Sequence, residues 1–283
     1  MGLEVGAEVL RKARKDGYAV PACSVHTPGM IEGVLRAAEE ARSPVILQVG
    51  QRAIRYAGLA EMAAWVRLRA RKSPVPVVLH LDHSHAFDQV IVAIREGFTS
   101  AMLDAAEQPL AENIRRTSEV VRVCHAAGIS VEGEVGRIAG VEDDVSVSAE
   151  QKALAGVDEA LRFIAETDVD ALAPAIGSVH GLGDHVPELD WGLLDQLRAV
   201  VALPMVLHGG SGLPAATLAR VAAGGIAKVN LDTELRRVFL RGMGEAGESV
   251  AKDDPYPVLE QGVTKLAAHV RRRMSELGSV GRA

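Results

Sequence analysis

The sequence predicts a (β/α)8 barrel of the TIM type with extra C-terminal helices, organised as one domain over residues 1–283. Short β-branched runs recur along the whole length, with amphipathic, helix-length segments between them. The runs are apolar almost throughout instead of alternating, which marks parallel strands covered on both faces. Eight such runs can be counted, the number that closes a parallel barrel. An open doubly wound sheet would use the same units, but no GxGxxG follows an early strand.

In chain order the predicted strands are Tyr18–Val25, Pro44–Val49, Val75–His83, Ser100–Ala105, Ser130–Gly136, Ala171–Gly177, Pro204–Gly210 and Ala227–Asp232. The predicted helices between them are Gly29–Arg42, Leu59–Arg71, Phe87–Glu96, Leu110–Ala127, Gly156–Thr167, Trp191–Val200 and Pro214–Ala223. Pro28 stands just ahead of the first helix and Pro214 opens the last, positions where a missing N–H costs nothing. In Leu59–Arg71 the acid Glu61 comes early and Arg67, Arg69 and Arg71 come late, which suits both ends of the helix dipole. Beyond the eighth strand a helix over Glu234–Glu248, a polar link AKDDPYP and a helix over Val258–Leu277 are expected to pack outside the barrel or on a neighbouring subunit.

Composition narrows the function classes. The chain is 48% hydrophobic and 24% charged, an ordinary globular balance. A net charge of −6 with dispersed basic residues argues against a nucleic-acid surface. The first twenty residues hold no uninterrupted apolar core of signal-peptide type, and no run approaches a membrane span. A cytoplasmic protein with no membrane or nucleic-acid partner is expected. Cys23 and Cys124 lie far apart in apolar patterns and read as reduced core thiols. Aromatics make up only 3%, so Ala, Val, Leu and Ile must fill the core.

Catalytic groups of such barrels gather where strands run into the following loops. The third strand ends in Asp82-His83 and the fourth near Asp104. The fifth carries Glu132 and Glu134, then Arg137 and an acidic loop with Glu142, Asp143 and Asp144. The sixth ends in GSVHG with His180, the seventh in LHGGSG with His208, and the eighth in KVNLDTE. One histidine at a strand end is most often just a satisfied polar residue. Three at one barrel face can converge, and three neutral imidazoles with an open fourth position make a catalytic zinc site. Asp82 and His83 cannot both point inward from a regular strand, so the strand must break or bulge there. Glu132 and Glu134 share a face by alternation, with metal or lysine contacts both open. His80 lies within its strand and reads as a hydrogen-bonding support. His26 and His185 are open as lining groups, while His85, His125 and His269 carry no assigned role.

HGGSG places small residues ahead of a helix, where backbone N–H groups can approach an anion. Asn230–Thr233 adds donors after the eighth strand, and loops seven and eight are the recurrent phosphate site of these barrels. A metal beside a phosphate site suggests a small phosphorylated substrate with a carbonyl to polarise.

LHLDHSHAFD, GFTSAMLDAAEQPLAENIRRT, VEGEVGRIAGVEDD, GSVHG, LHGGSG and KVNLDTELR together resemble the zinc-dependent class II ketose-bisphosphate aldolases. The resemblance is closest to the tagatose-bisphosphate branch, whose members act on fructose or tagatose 1,6-bisphosphate. It extends from GYAVPA near residue 17 into the C-terminal helix. It implies zinc ligands at His83, His180 and His208, with Glu134 at a carboxylate that some members place near the metal. It implies a proton-transferring aspartate at Asp82 and a loop glutamate at Glu142 that moves a proton on the three-carbon unit. Dihydroxyacetone-phosphate contacts fall on Gly181, Gly209, Gly210, Ser211, Asn230, Leu231, Asp232 and Thr233, with a monovalent cation near that phosphate site. Zinc would serve as the Lewis acid for the ketone, so no Schiff-base lysine is needed. Lys228 is placed at the start of its strand, away from the catalytic face. A homodimer or homotetramer is expected from the resemblance and from the C-terminal helices.

The chain departs from the family pattern where the aldehyde half would bind. Ser24 stands where an asparagine is usual, Gly50 where a serine is frequent, and HGLGDH replaces HGxY, bringing in Gly183 and Asp184. The loop glycine pair is Ala139-Gly140. These leave room for a relative that cleaves another phosphorylated substrate, such as 6-phospho-5-dehydro-2-deoxy-gluconate, to malonic semialdehyde. A non-catalytic aldolase-like subunit is the third reading; such a protein would be free to lose ligands, and this one has kept them.

Overall fold

Eight parallel strands close into a barrel in chain order: Val20–Ser24, Val45–Val49, Val77–Ser84, Ser100–Leu103, Ser130–Val135, Ala171–Pro174, Met205–Leu207 and Ile226–Leu231. The first pairs with the last through Val20↔Lys228 to Cys23↔Leu231. The structure, a computed structural model, describes residues 2–142, 145–148, 152–182, 186–249 and 254–283; for 141–142, 145–147 and 247–249 it describes the backbone alone. Each predicted strand overlaps one of the eight, because a run buried on both faces must be apolar throughout.

Buried side chains fall into two clusters. The larger packs the outer faces of the strands against the surrounding helices. The smaller joins Val20, Ala22, Ile46, Val78, Ala171, Ala173, Val206 and Ala227 to Val9, Leu10, Ala13 and Tyr18. Alternation turns the strand members of this second group other than Ala227 toward the barrel axis, and the register with the seventh strand slips at Ala227. Val9, Leu10 and Ala13 belong to a helix over Gly6–Asp16 that sequence reasoning missed. That helix touches the third, fifth and eighth strands, so it lies across the end of the barrel where the strands begin. Gly6 makes the approach: a Cβ there would sit 2.7 Å from the Ser130 hydroxyl and 3.0 Å from the Ser100 Cβ, at the starts of two strands.

Helix starts follow local chemistry. Thr27 caps Pro28–Ala41 by accepting from the Met30 N–H at 3.3 Å, with Pro28 in the first helical position. Asp190 caps Trp191–Val200 through the Leu193 N–H at 2.9 Å. A short helix over Gln51–Ala57 follows the second strand and precedes Leu59–Ala70. The C-terminal helices Thr233–Ser249 and Tyr256–Glu276 pack on each other, and the second packs on Pro28–Ala41 outside the barrel. Among the described residues no helix is long and apolar enough to cross a membrane.

A small second sheet joins two loops. Ala139–Glu142 pairs antiparallel with Val145–Val147 and parallel with Val179–His180. Gly140 has φ +111° and pairs with His180; a Cβ there would collide with the His180 backbone.

Candidate active site

The third strand breaks as its sequence requires. His83 adopts φ +43°, and the register with the fourth strand shifts between Leu81 and Ser84. Left-handed backbone at a non-glycine residue is strained and persists only where its surroundings hold it. Here the bulge lets neighbouring Asp82 and His83 both be buried at the strand end.

His83 Nδ1 lies 2.8 Å from Asp104 Oδ2, which fixes the neutral ring with its lone pair on Nε2. Burial pushes the Asp104 carboxyl up, but hydrogen bonds from His83 and the Ala106 N–H hold it well below the usual carboxylate range. His180 ends the short strand Val179–His180 and is half-buried. His208 follows the seventh strand and is buried. The ring centroids are 4.8 Å apart for His83 and His208, 5.5 Å for His83 and His180, and 5.9 Å for His180 and His208. One nitrogen from each ring lies within 4.8 Å of the others. In a tetrahedral zinc site such nitrogens stand roughly 3.4 Å apart, so small ring rotations complete the set.

Two carboxylates flank His208. Glu132 Oε1 lies 2.8 Å from Nε2, and Glu134 Oε2 lies 3.2 Å from Nδ1. Burial disfavours the imidazolium, but these two contacts outweigh it and raise His208 to about 9. The same pull acts on any cation placed there. Among the described residues four carboxyl groups, Asp82, Asp104, Glu132 and Glu134, surround the site, against the single ammonium of Lys228. A donor set of three imidazoles inside such a surplus of carboxyl groups suits zinc.

Lys228 corrects one expectation. It is the third residue of Ile226–Leu231, fully buried, and its Nζ lies 2.7 Å from Glu132 Oε2. It is therefore one carboxylate away from His208 rather than remote from the catalytic face. Burial raises the Glu132 carboxyl, but the ammonium and His208 hold it well below the usual range. His80 lies 2.8 Å from the Ser100 hydroxyl through Nδ1; its Nε2 is 3.5 Å from Lys228 and 3.6 Å from Asp82 Oδ1. Burial and the lysine lower His80, keeping it neutral beside Asp82. Glu132, Lys228 and Asp104 had signals in the sequence. Lys228 stands two residues before Asn230 on the same strand face, and Asp104 ends a strand.

The glycine-rich loop after the seventh strand lies beside these groups. Gly209 has φ +67°, and a Cβ there would run into the Val179 carbonyl. Gly210 N–H donates to the Asn230 carbonyl at 3.0 Å, and the Ser211 hydroxyl accepts from the Asp232 N–H at 3.1 Å. These bonds tie loop seven to the start of Thr233–Ser249, whose N-terminus faces the loop. Asn230 is buried, and neither amide atom has a hydrogen-bond partner among the described residues, as a ligand-contacting group would before its ligand arrives. Leu231 is fully buried. Asp232 uses its carboxylate on His26, at 2.9 Å, and on Arg236, and so acts as a strut. Arg236 also donates to the Thr233 hydroxyl. Gly181 follows His180 with φ +88°. Glu234, which the sequence marks only as the start of a helix, accepts from the Gly212 N–H through Oε2 at 2.8 Å.

Glu142 is the last residue of Ala139–Glu142, and only its backbone is described. Asp143, Asp144, Gly183, Asp184 and His185 lie outside the described residues. Ser24 ends the first strand, and Gly50 precedes Gln51–Ala57. His125 meets Asp170 and His269 meets Glu234, both structural contacts. Cys23 and Cys124 are free and buried.

Residues 5–282 match the family described as fructose-bisphosphate aldolase class-II. A fructose-bisphosphate aldolase from Thermus caldophilus is 38% identical over 305 residues, covering 99% of this chain and 100% of the relative. The crystal structure of the YdjI aldolase from Escherichia coli K12 superposes with TM-score 0.88 at 29% identity, covering all of both chains. A candidate fructose-1,6-biphosphate aldolase from Coccidioides immitis superposes with TM-score 0.91 at 31% identity, covering 98% of this chain and 97% of that one. The chain belongs to the class II fructose-bisphosphate aldolase family.

Proposed function

We propose that this chain is a zinc-dependent aldolase. It reversibly cleaves a phosphorylated ketose, of the fructose or tagatose 1,6-bisphosphate type, to dihydroxyacetone phosphate and an aldehyde such as glyceraldehyde 3-phosphate. The observation that carries this is the convergence of His83, His180 and His208 beside Asp82, next to the cradle of loops seven and eight. Zinc held by the three histidines supplies a Lewis acid for the ketone oxygen. Glu134, 3.2 Å from His208, is the carboxylate placed to join or adjust that ligand set.

The chain's own groups do the rest. Gly181, Gly209, Gly210, Ser211 and the Asn230–Thr233 segment bind the phosphate of the three-carbon unit. The orphan Asn230 amide meets its polar atoms. Asp82 exchanges the proton of the hydroxyl on the aldehyde-forming carbon, with neutral His80 beside it. Glu142 moves the proton at the carbon of the three-carbon unit. Burial of Asp82, His83, His208 and Asn230 limits the access of water to the reacting carbons.

Ser24 and Gly50, in place of the asparagine and serine usual in the family, favour a second reading on the aldehyde side. In it the same half-reaction releases malonic semialdehyde from 6-phospho-5-dehydro-2-deoxy-gluconate. The test is a cleavage panel of fructose 1,6-bisphosphate, tagatose 1,6-bisphosphate and that acid. Turnover of either bisphosphate is expected; activity on the acid alone defeats the bisphosphate assignment. The preferred epimer places the chain within or outside the tagatose branch.

A further inference from the structure

Glu132 and Glu134 stand two residues apart on one strand face, and both reach His208, at opposite ring nitrogens. The imidazole has one N–H to give when neutral. Donated to Glu132, it leaves the lone pair on Nδ1, on the Glu134 side. Donated to Glu134, it leaves the lone pair on Nε2, facing a structural carboxylate. The histidine alone does not distinguish these states, and the two carboxylates are chemically identical. Geometry separates them: Nε2 and Glu132 Oε1 form a hydrogen bond at 2.8 Å, whereas neither His208 Nδ1 nor Glu134 Oε2 has a hydrogen-bond partner among the described residues, and Lys228 Nζ holds the other Glu132 oxygen at 2.7 Å. One carboxylate thus bridges an ammonium and an imidazole, with all three side chains buried.

We infer that Lys228 is a positioning residue for the metal: by pinning Glu132 as the acceptor of the His208 Nε2–H, it selects Nδ1 as the ligand atom. The inference rests on the zinc-aldolase reading above. It gives Lys228, the one buried lysine among the described residues, a role with no covalent chemistry, acting on His208 only through Glu132. A carboxylate that orients a metal-bound histidine is worth roughly 10- to 100-fold in metal affinity. Lys228 carries a comparable share, because it holds in place the carboxylate that accepts the Nε2–H.

The test is K228M, with zinc affinity measured by chelator competition and the ligand field read from the absorption spectrum of the cobalt-substituted protein. The expected result is roughly 10- to 100-fold weaker zinc binding and an altered cobalt spectrum, both partly restored in K228R. Wild-type affinity and spectrum in folded K228M overturn the inference, even if the variant melts earlier. If K228M does not fold, E132Q is compared with the double variant K228M/E132Q, which carries no unpaired buried carboxylate. Equal zinc affinities support action through Glu132, and an additional loss in the double variant overturns it. A wild-type chain that binds no zinc overturns the aldolase reading along with the inference. Zinc-loaded wild type with an indifferent K228M overturns the inference alone.

Discussion

Where the strands begin, the barrel is filled by Val20, Ala22, Ile46, Val78, Val206 and their neighbours, plugged by Val9, Leu10 and Ala13. A few residues further along the same strands, the axis carries His80, Asp82, Glu132, Glu134, His208, Lys228 and Asn230, all buried. The lower layer needs no partners and is held by apolar burial, about 25 cal/mol per Å2. In the upper layer each charge needs a counter-group, and the carboxyl groups exceed the lysine. Two tasks are therefore separated along one axis. The floor supplies stability. The ceiling accepts an unfavourable concentration of like charge, which a bound cation offsets.

The largest effect expected from breaking that division is at His208. H208A should lose bound zinc, and with it roughly 10^3-fold or more of kcat/KM, the several kcal/mol a Lewis acid contributes. Metal analysis and a cleavage assay check this together; full activity in a metal-free variant defeats the mechanism. Next comes D82A, which leaves the three imidazoles in place. It should retain zinc and lose roughly 10^2- to 10^4-fold in cleavage rate, the range of general acid–base catalysis. Unchanged cleavage removes Asp82 from proton transfer.

On the floor the signature should reverse. I46A deletes a fully buried side chain that clusters with Val78 and Ala22, and should cost about 2–5 kcal/mol of stability. Zinc affinity and kcat of the folded enzyme should stay within about twofold, since Ile46 packs in the apolar layer and shares no partner with the metal ligands. Urea unfolding and zinc titration on one preparation test this. Loss of zinc affinity in I46A would show that the layers are coupled through the strands.

The two layers also differ in how far the sequence reveals them. The eight strands were legible because burial on both faces forces continuous apolar runs, and the bulge at Asp82-His83 followed from alternation alone. The histidines were legible by their place at strand ends. Lys228 was misplaced despite sharing a strand face with Asn230, because a lysine in a strand reads as an edge or a start until its buried counter-ion is known, and Glu132 lies ninety-six positions away. The Gly6–Asp16 plug was missed because its apolar face meets strands distant in the sequence. The Ala139–Glu142 and Val179–His180 pairing was missed because two short segments carry no periodicity to read.

The smallest expected effect sharpens the comparison at the rim, where the C-terminal helix reaches the glycine-rich loop after the seventh strand. Glu234 accepts from Gly212 N–H, from His269 Nε2 at 3.1 Å, and from Arg273 at 2.7 and 2.6 Å. Arg273 also donates to the Leu213 carbonyl. Burial raises the Glu234 carboxyl, but His269 and Arg273 outweigh it and hold it down at about 2, against an ordinary 4.5. A depressed carboxylate stabilises the fold fully above its ordinary value and loses that contribution as pH falls through the folded one. E234Q should therefore be less stable than wild type by about 1–3 kcal/mol near neutrality. The gap should shrink as pH falls from 4.5 toward about 2, measured as urea midpoints across the series. A gap that stays constant through that window would mean that Glu234 holds the loop by shape rather than charge. The rim would then resemble the apolar floor more than the charged layer it adjoins.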